Sequence, residues 1–292
     1  MNNYIVCTDK LQNEFRIGSQ NGINKHYTEI NEKKQSSNAI IWNTFAPWKY
    51  SDKHTNDPRF IFKIIEKACG KQLKDTDFRN NEYNFFGHKP MYFKYSQPDL
   101  VIDNEKNCLF LEAKYTEDSG KAENDKCEQI ISYLCDIFHK FSSIQEYNPY
   151  FIVLYPKETG HYYEYYQIIE TCKNNSDQIR LKIQDCLERR KNKEDVHYDR
   201  LISECEALQP HECEHRLKKI CENIGMISWD ELRKLLFECI DNDQSDEFYI
   251  DDWSRYVSFF NERASIDFLL QCYAQQRSNL EVKQLLNPNL IR

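Results

Sequence analysis

Glycine and proline are scarce in this chain, which has 7 glycines and 8 prolines among 292 residues. Turn-rich folds such as β-sandwiches place many of these residues at their turns, so the composition disfavours a fold of that kind. Aromatic residues are abundant instead, with 19 tyrosines and 17 phenylalanines. We therefore expect a packed core made of long helices and some strands.

Long apolar segments are also missing. No apolar run reaches the roughly 18 residues that a membrane-spanning helix needs. The first ten residues, MNNYIVCTDK, lack the apolar stretch of a signal peptide. The sequence therefore predicts a cytoplasmic protein with no membrane partner.

Paired cysteine motifs are absent as well, since none of the 12 cysteines forms a C-x-x-C spacing. In a cytoplasmic chain of this size, dispersed cysteines are most simply reduced and buried as small hydrophobic side chains. The cysteines thus give no indication of a disulfide framework.

Negative charge exceeds positive charge, giving a net charge of −8, but the excess is uneven. Residues 1–98 carry 15 lysines and arginines against 10 acidic residues, whereas residues 151–292 carry 19 against 26. A basic N-terminal region is compatible with phosphate contacts, and the acidic half would face away from them.

The stretch 97–116, QPDLVIDNEKNCLFLEAKYT, predicts a β-hairpin. Two apolar runs, 100–102 and 108–111, flank the polar segment 104–107, a pattern typical of two strands joined by a short loop. One face of this hairpin is apolar and belongs in a core; it carries Leu100, Ile102, Leu109, Leu111 and Ala113.

The other face of the predicted hairpin gathers charged side chains. If Asp103 and Cys108 close the loop, Asp99 lies directly opposite Glu112. Lys114 shares the face of Glu112 because side chains alternate along a strand. Directly opposed Cβ atoms are roughly 5 Å apart, and two like charges there are destabilising. This arrangement indicates a functional site; the alternative is a half-exposed hairpin with ordinary surface charges.

Two carboxylates held so closely can bind a hard divalent cation. Mg²⁺ typically binds one or two carboxylates and keeps several waters for substrate phosphates. A neighbouring lysine can orient or deprotonate a metal-polarised water, or neutralise charge on a phosphate during transfer.

The sequence Pro98-Asp99, followed after twelve residues by Glu112-Ala113-Lys114, resembles the PD-(D/E)xK motif of the restriction-endonuclease-like nucleases. The resemblance covers roughly residues 57–156. It implies a Mg²⁺-dependent deoxyribonuclease, with Mn²⁺ as a substitute, in which Asp99 and Glu112 hold the metal. Lys114 would orient the attacking water or stabilise the transition state. DNA is the implied partner, and analogy of fold points to a restriction or defence endonuclease.

A helix is predicted to begin near Asp57-Pro58 and to end at Gly70, because these residues suit the N-cap, the first turn and the C-cap. Glu66 borders its apolar stripe. In the restriction-endonuclease-like fold a helix before the hairpin often supplies one further acidic residue to the metal site. The resemblance therefore implies Glu66 as a further catalytic residue, with Glu82, Asp57 or a merely solvated glutamate as the alternatives.

A second helix is predicted over 122–141 from its apolar periodicity. Gln129 and Tyr133 lie one turn apart beside its apolar stripe. This Gln-x-x-x-Tyr spacing resembles the helix motif that follows the active-site lysine in the nuclease domains of bacterial recombination helicase-nucleases. There the pair helps to hold the DNA strand and the site. The resemblance thus implies that Gln129 and Tyr133 bind DNA; the alternative is an ordinary pair on a helix.

The predicted fold class is α/β. The aromatic-rich stretch 82–96 indicates strand, and the apolar run 150–155 indicates a buried strand. The resulting order of helix, strand, hairpin, helix and strand is that of a restriction-endonuclease-like core, a mixed central sheet flanked by helices. We expect an N-terminal extension over 1–56, the PD-(D/E)xK nuclease core over 57–160 and a helical C-terminal domain over 161–292.

The C-terminal region is predicted to be helical throughout. Gly225 is expected to end one helix, and a capping box from Ser228 to Glu231 to start the next. The tyrosines at 162, 163, 165 and 166 are expected to cover the sheet rather than to stack on bases. This region would serve DNA shape recognition, dimerisation or partner binding. Its removal beyond about Gly160 should then leave the metal site largely intact.

Two other functions are compatible with the sequence. One is a non-catalytic DNA-binding or assembly module on a nuclease-like fold, which the intact Asp–Glu–Lys set argues against. The other is an interaction protein built on the helical C-terminal region, with the hairpin as scaffold. A homodimer is compatible with each of the three functions.

Overall fold

The described part of the chain forms one mixed five-stranded sheet in the order β1-β2-β3-β4-β5. The strands are β1 Glu82–Phe85, β2 Leu100–Asp103, β3 Asn107–Ala113, β4 Asn148–Tyr155 and β5 Ile224–Ser228. The structure is a computed structural model, and it describes residues 37–50, 57–74, 78, 80–85, 98–104, 106–114, 123–141, 148–155, 160–191 and 210–241.

Helices cover both faces of this sheet. They are α1 Ser37–Tyr50, α2 Arg59–Cys69, α3 Glu123–Phe141, α4 Gly160–Asn174, α5 Ser176–Lys191, α6 Pro210–Glu222 and α7 Trp229–Asp241. Buried side chains of α3 to α6 form one core cluster with the sheet face that carries Phe110 and Val153. The other face packs against α2, where Gly225 of β5 meets Ala68. The α/β prediction of a mixed sheet flanked by helices is therefore confirmed.

The hairpin of β2 and β3 has the predicted register. Leu100 pairs with Leu111 and Asp103 with Cys108 in the antiparallel ladder. The loop is closed by Asn104, whose carboxamide oxygen accepts hydrogen bonds from the backbone N–H groups of Lys106 and Asn107 at 2.9 and 2.8 Å. Side-chain acceptance of this kind is a usual reason for asparagine in turns.

The strands β3, β4 and β5 run parallel to one another. Phe110 pairs with Phe151, and Phe151 in turn with Ile224. The predicted strand at 150–155 is confirmed as β4, which starts two residues earlier. Parallel strands buried on both faces explain its continuous apolar sequence, YFIVLY.

Helix α2 ends at Gly70 as predicted, and it starts within one residue of the predicted position, with Pro58 rather than Asp57 as its N-cap. The carboxylate of Asp57 accepts a hydrogen bond from the backbone N–H of Arg59 at 3.0 Å. Gly70 ends the helix with φ +68°, a left-handed conformation that favours glycine. The buried stripe of this helix comprises Phe60, Ile61, Phe62, Ile64, Ile65 and Ala68.

The expectation of an entirely helical region after residue 160 is wrong at 224–228. These residues form β5, which pairs with β4 in the same sheet. Gly225 is therefore a strand residue and not a helix C-cap. A Cβ at this position would lie 2.3 Å from the carbonyl oxygen of Ala68, so only glycine allows strand and helix to approach so closely.

The predicted capping box at the start of α7 is confirmed. The Ser228 hydroxyl accepts a hydrogen bond from the Glu231 N–H at 3.2 Å, and the Glu231 carboxylate accepts one from the Ser228 N–H at 3.0 Å. Glu231 also pairs with Lys67 of α2 at 3.2 Å. The box thereby connects β5, α7 and α2.

Helix α4 only partly follows the expectation that its tyrosines cover the sheet. Tyr165 is buried and packs against Tyr155 of β4, with ring centroids 5.1 Å apart. Tyr163 and Tyr166 are exposed instead. None of the helices in the described ranges is long and apolar enough to cross a membrane.

Candidate active site

The charged cluster predicted on the hairpin lies where β3 ends. Asp99 directly precedes β2, Glu112 is the last but one residue of β3, and Lys114 follows that strand. One residue beyond the last pair of the ladder, Leu100 with Leu111, the register brings Asp99 opposite Glu112. The three predicted residues are therefore brought together, on the sheet face that α3 covers.

Asp99 is held by a backbone contact. Its Oδ2 accepts a hydrogen bond from the N–H of Ala113 at 2.7 Å. This contact joins the entry to β2 with the exit from β3. It also gives Asp99 a structural role that the sequence pattern did not predict.

Glu112 is the most strongly bound of the three side chains. Its Oε1 pairs with the Lys114 ammonium at 2.5 Å and accepts a longer hydrogen bond, 3.3 Å, from the Gln129 amide. Its Oε2 accepts a hydrogen bond from the Tyr133 hydroxyl at 2.5 Å. The carboxylate is buried, at 7% exposure. Three donors therefore compensate the burial of its charge.

Lys114 is a cation in this arrangement. Burial alone would lower its pKa, but the charges of Glu112 and Asp99 outweigh that effect, so the pKa lies above its ordinary value. An ammonium group can neutralise a phosphate but cannot accept a proton. The side chain keeps 18% exposure, which leaves it a route to a bound substrate.

The backbone of Lys114 is held from two sides. Its N–H donates to the carbonyl of Leu154 in β4 at 2.7 Å. Its carbonyl accepts a hydrogen bond from the indole Nε1 of Trp229 at 2.8 Å. Trp229 begins α7, so a residue more than one hundred positions downstream contacts the site.

Tyr133 lies in the core and not on the surface. It is 3% exposed and stacks on Phe151, with ring centroids 5.0 Å apart. Burial, together with the charges of Glu112 and Asp99, raises its pKa well above the ordinary value, so the hydroxyl remains a donor. A direct contact of Tyr133 with DNA stays a prediction, and its burial argues against it.

Gln129 is half-buried and contacts the site through both ends of its amide. Its nitrogen donates to Glu112, and its oxygen lies 3.5 Å from the hydroxyl of Tyr165 in α4. Burial raises the pKa of Tyr165, and the charge of Glu112 adds to this effect while Lys114 opposes it. Tyr165 was missed from the sequence because four tyrosines crowd this stretch without a clear period.

Glu66 lies apart from this cluster. It is exposed on α2, the helix that packs on the other face of the sheet. Its charge acts on Lys63, which pairs with Glu238 of α7 at 2.6 Å. The structure does not bring Glu66 to Glu112, and its role as a further catalytic residue stays a prediction.

The donor chemistry of the site fits Mg²⁺ bound by two carboxylates and several waters. An ionised carboxylate offers about four lone-pair positions, and Glu112 uses three of them for its donors. Within the described ranges, His, Cys, Asp and Glu side chains form no cluster of three or more that could hold a metal. Waters or a substrate phosphate would therefore supply the other ligands.

Comparisons of the chain with protein-family models, with curated proteins and with solved structures give no match. The resemblance to the PD-(D/E)xK nucleases therefore rests on the motif residues themselves and on their arrangement.

Proposed function

We propose that this protein is a metal-dependent nuclease of the PD-(D/E)xK type, with a restriction-endonuclease-like core, that hydrolyses phosphodiester bonds of DNA. The observation that supports this proposal most is the meeting of Asp99, Glu112 and Lys114 at the end of β3. Two carboxylates held opposite each other are costly for folding, and with a half-buried cation beside them they suit phosphoryl transfer.

Each residue would have a distinct task. Asp99 and Glu112 hold Mg²⁺, or Mn²⁺ in its place; when bound, the metal lowers the pKa of a water and stabilises charge on the phosphate. The Lys114 ammonium binds the phosphate and stabilises its developing charge. Tyr133 and Gln129 orient the carboxylate of Glu112.

The proposed partner is DNA, and the proposed setting is a cytoplasmic restriction or defence system. A homodimer is part of the same proposal. The setting rests on fold analogy and not on a feature of this site.

A cleavage assay tests the proposal. Purified protein is incubated with supercoiled plasmid, linear duplex or single strands, in Mg²⁺, Mn²⁺ or EDTA. We expect cleavage with either metal and none in EDTA. Lys114→Ala should lower the rate at least about 100-fold because it removes charge stabilisation in the transition state.

Lys106→Ala is the matched control. Lys106 is an exposed lysine of the same hairpin at the end away from the site, so its loss should leave the rate unchanged. Binding of DNA without cleavage in any metal would favour the non-catalytic module. Glu66→Gln tests the remaining residue; an unchanged rate would remove Glu66 from the mechanism.

A further inference from the structure

The region after residue 160, which the nuclease resemblance does not cover, contacts the site through Trp229. The indole Nε1 of Trp229 donates to the carbonyl oxygen of Lys114 at 2.8 Å. This hydrogen bond spans 115 positions of sequence. Its acceptor, Lys114, is a proposed catalytic residue that lies just beyond the end of β3.

Lys114 needs support at that point. The strand β3 ends at Ala113, so the ladder with β4 holds Lys114 only through its N–H group, which donates to Leu154. The indole of Trp229 holds the carbonyl on the other side of the same residue. With both backbone groups bound, the Cα–Cβ direction of Lys114 is fixed toward Glu112.

Trp229 is itself held in place. It follows Ser228, whose capping box with Glu231 sets the first turn of α7. Glu231 pairs with Lys67 of α2. The indole is therefore presented by a helix start that is anchored to two other elements, which is what a positioning residue requires.

We propose that Trp229 is a positioning residue, which keeps the Lys114 ammonium beside Glu112, and that DNA cleavage depends on this contact. The proposal rests on the nuclease function proposed above. It assigns part of the active site to the C-terminal half of the chain. A misplacement of about 1 Å of a catalytic group can cost 10²-fold in rate.

Two variants remove the indole N–H. Trp229→Phe keeps an aromatic ring, and β-(3-benzothienyl)alanine, placed at position 229 by amber suppression, keeps the full shape of tryptophan without a donor. The second variant preserves the test if the first fails to fold. Trp48→Phe is the matched control, because Trp48 is a buried tryptophan stacked on Phe60, away from Lys114.

Kinetics give the first readout, at a temperature where all variants are folded. In both position-229 variants we expect kcat to fall roughly 10- to 100-fold. KM and the Mg²⁺ concentration for half-maximal rate should change less than about twofold, because the carboxylates remain in place. The control should keep its kcat. A merely structural role would lower Tm and leave kcat unchanged.

The ammonium signal of Lys114 gives a readout that does not need activity. It is observed by NMR with ¹⁵N-labelled lysine and assigned by its loss in Lys114→Ala. We expect it to shift or broaden in both position-229 variants and to persist in Trp48→Phe. An unchanged signal overturns the proposal, and so does a wild-type kcat in a variant whose signal has shifted.

The two proposals fail in different ways. If the wild type cleaves no DNA, the nuclease function fails, and the ammonium signal alone decides whether Trp229 positions Lys114. If the wild type cleaves DNA but the signal and kcat do not respond to the loss of the indole N–H, the nuclease function stands and the positioning role falls.

Discussion

At the scale of single residues, the site combines two carboxylates that repel each other with one cation that attracts both. Asp99 and Glu112 face each other across the hairpin, and their repulsion opposes folding. The charge of Lys114 acts on both and offsets that repulsion. The sequence predicts that the two opposed carboxylates destabilise the fold. In the folded protein this destabilisation is smaller because of the charge of Lys114.

Two properties of Asp99, its negative charge and its ability to accept a hydrogen bond, can be tested separately by substitution. Asp99→Asn keeps an oxygen that can accept from the Ala113 N–H, so in EDTA its free energy of unfolding should lie within about 1 kcal/mol of wild type. Asp99→Ala leaves a buried N–H without that acceptor and should cost on the order of 1–3 kcal/mol. Denaturant unfolding in EDTA measures both values.

The same Asp99 variants also test whether this residue helps to bind Mg²⁺. A ligand that binds only the folded state raises Tm, so the wild type should melt higher in Mg²⁺ than in EDTA. Both Asp99 variants should lose most of that difference. An Asp99→Asn protein that is much less stable in EDTA than wild type would mean that the negative charge itself is structural.

Tyr133→Phe removes one hydroxyl and leaves the ring on Phe151. Glu112 then loses its donor at Oε2, and the carboxylate is less firmly oriented. We expect a loss of about 10- to 100-fold in metal affinity or in cleavage rate. Calorimetric Mg²⁺ titration and the plasmid assay measure the two quantities.

The control for this change is Tyr150→Phe. Tyr150 is buried on the other face of the sheet and packs against Phe78, so its hydroxyl should not affect the site. Similar losses in the two variants would show a general effect of removing a tyrosine hydroxyl, and would contradict the role assigned to Tyr133.

At the scale of elements, the hairpin was predictable and β5 was not. The hairpin is local: apolar alternation and a polar loop rich in turn residues set its register without help from distant parts. The strand β5 has five residues, IGMIS, and its partner β4 lies about seventy positions earlier. A short apolar run between two helices gives no period that separates strand from helix.

The position of Glu66 shows the same limit for helices. Its helix and both helix ends followed from the sequence, because caps and apolar stripes are local signals. The face of the sheet on which α2 packs depends on β5 and α7, which pack against it. No local feature of the sequence could therefore show whether Glu66 lies near the hairpin carboxylates.

Gly225→Ala tests the contact between β5 and α2. A Cβ at this position would overlap the backbone of Ala68, which cannot move away as a flexible side chain could. We expect a loss of about 1–3 kcal/mol or more in the free energy of unfolding. Denaturant unfolding provides the measurement.

Gly70→Ala is the comparison for this variant. Gly70 has a positive φ, but a Cβ there would meet no atom within 4 Å, so its cost is conformational only, about 1–2 kcal/mol. A Gly225→Ala protein as stable as wild type would mean that β5 and α2 lie farther apart than described.

At the scale of the molecule, the described sheet does not divide at residue 160. The strand β5 pairs with β4, and α4 to α6 share one buried cluster with α3. Removing this half takes away a sheet strand, a helix layer and the Trp229 contact with Lys114. The sequence-based expectation of an intact metal site in a shortened chain has no support in this packing.

A chain ending at Gly160 should therefore show no cooperative thermal unfolding and no Mg²⁺-dependent change in Tm. A chain ending at Asp241 retains every described element and should unfold cooperatively. Calorimetry on the two fragments separates these outcomes. A folded short fragment that binds Mg²⁺ would show that residues 1–160 form an independently folding metal-binding unit.

The buried cysteines make the two helix layers chemically distinguishable. Cys221 of α6 and Cys239 of α7 are each 1% exposed, and burial raises the pKa of both thiols to about 12. At neutral pH only about one thiol in 10⁵ would then be a reactive thiolate. Alkylation by iodoacetamide thus requires opening of the surrounding structure, and peptide mass spectrometry can follow each thiol separately. Alkylation of Cys221 would report opening of the α3–α6 layer, and alkylation of Cys239 would report separation of α7 from α2. The two thiols would therefore report the opening of each face of the sheet separately.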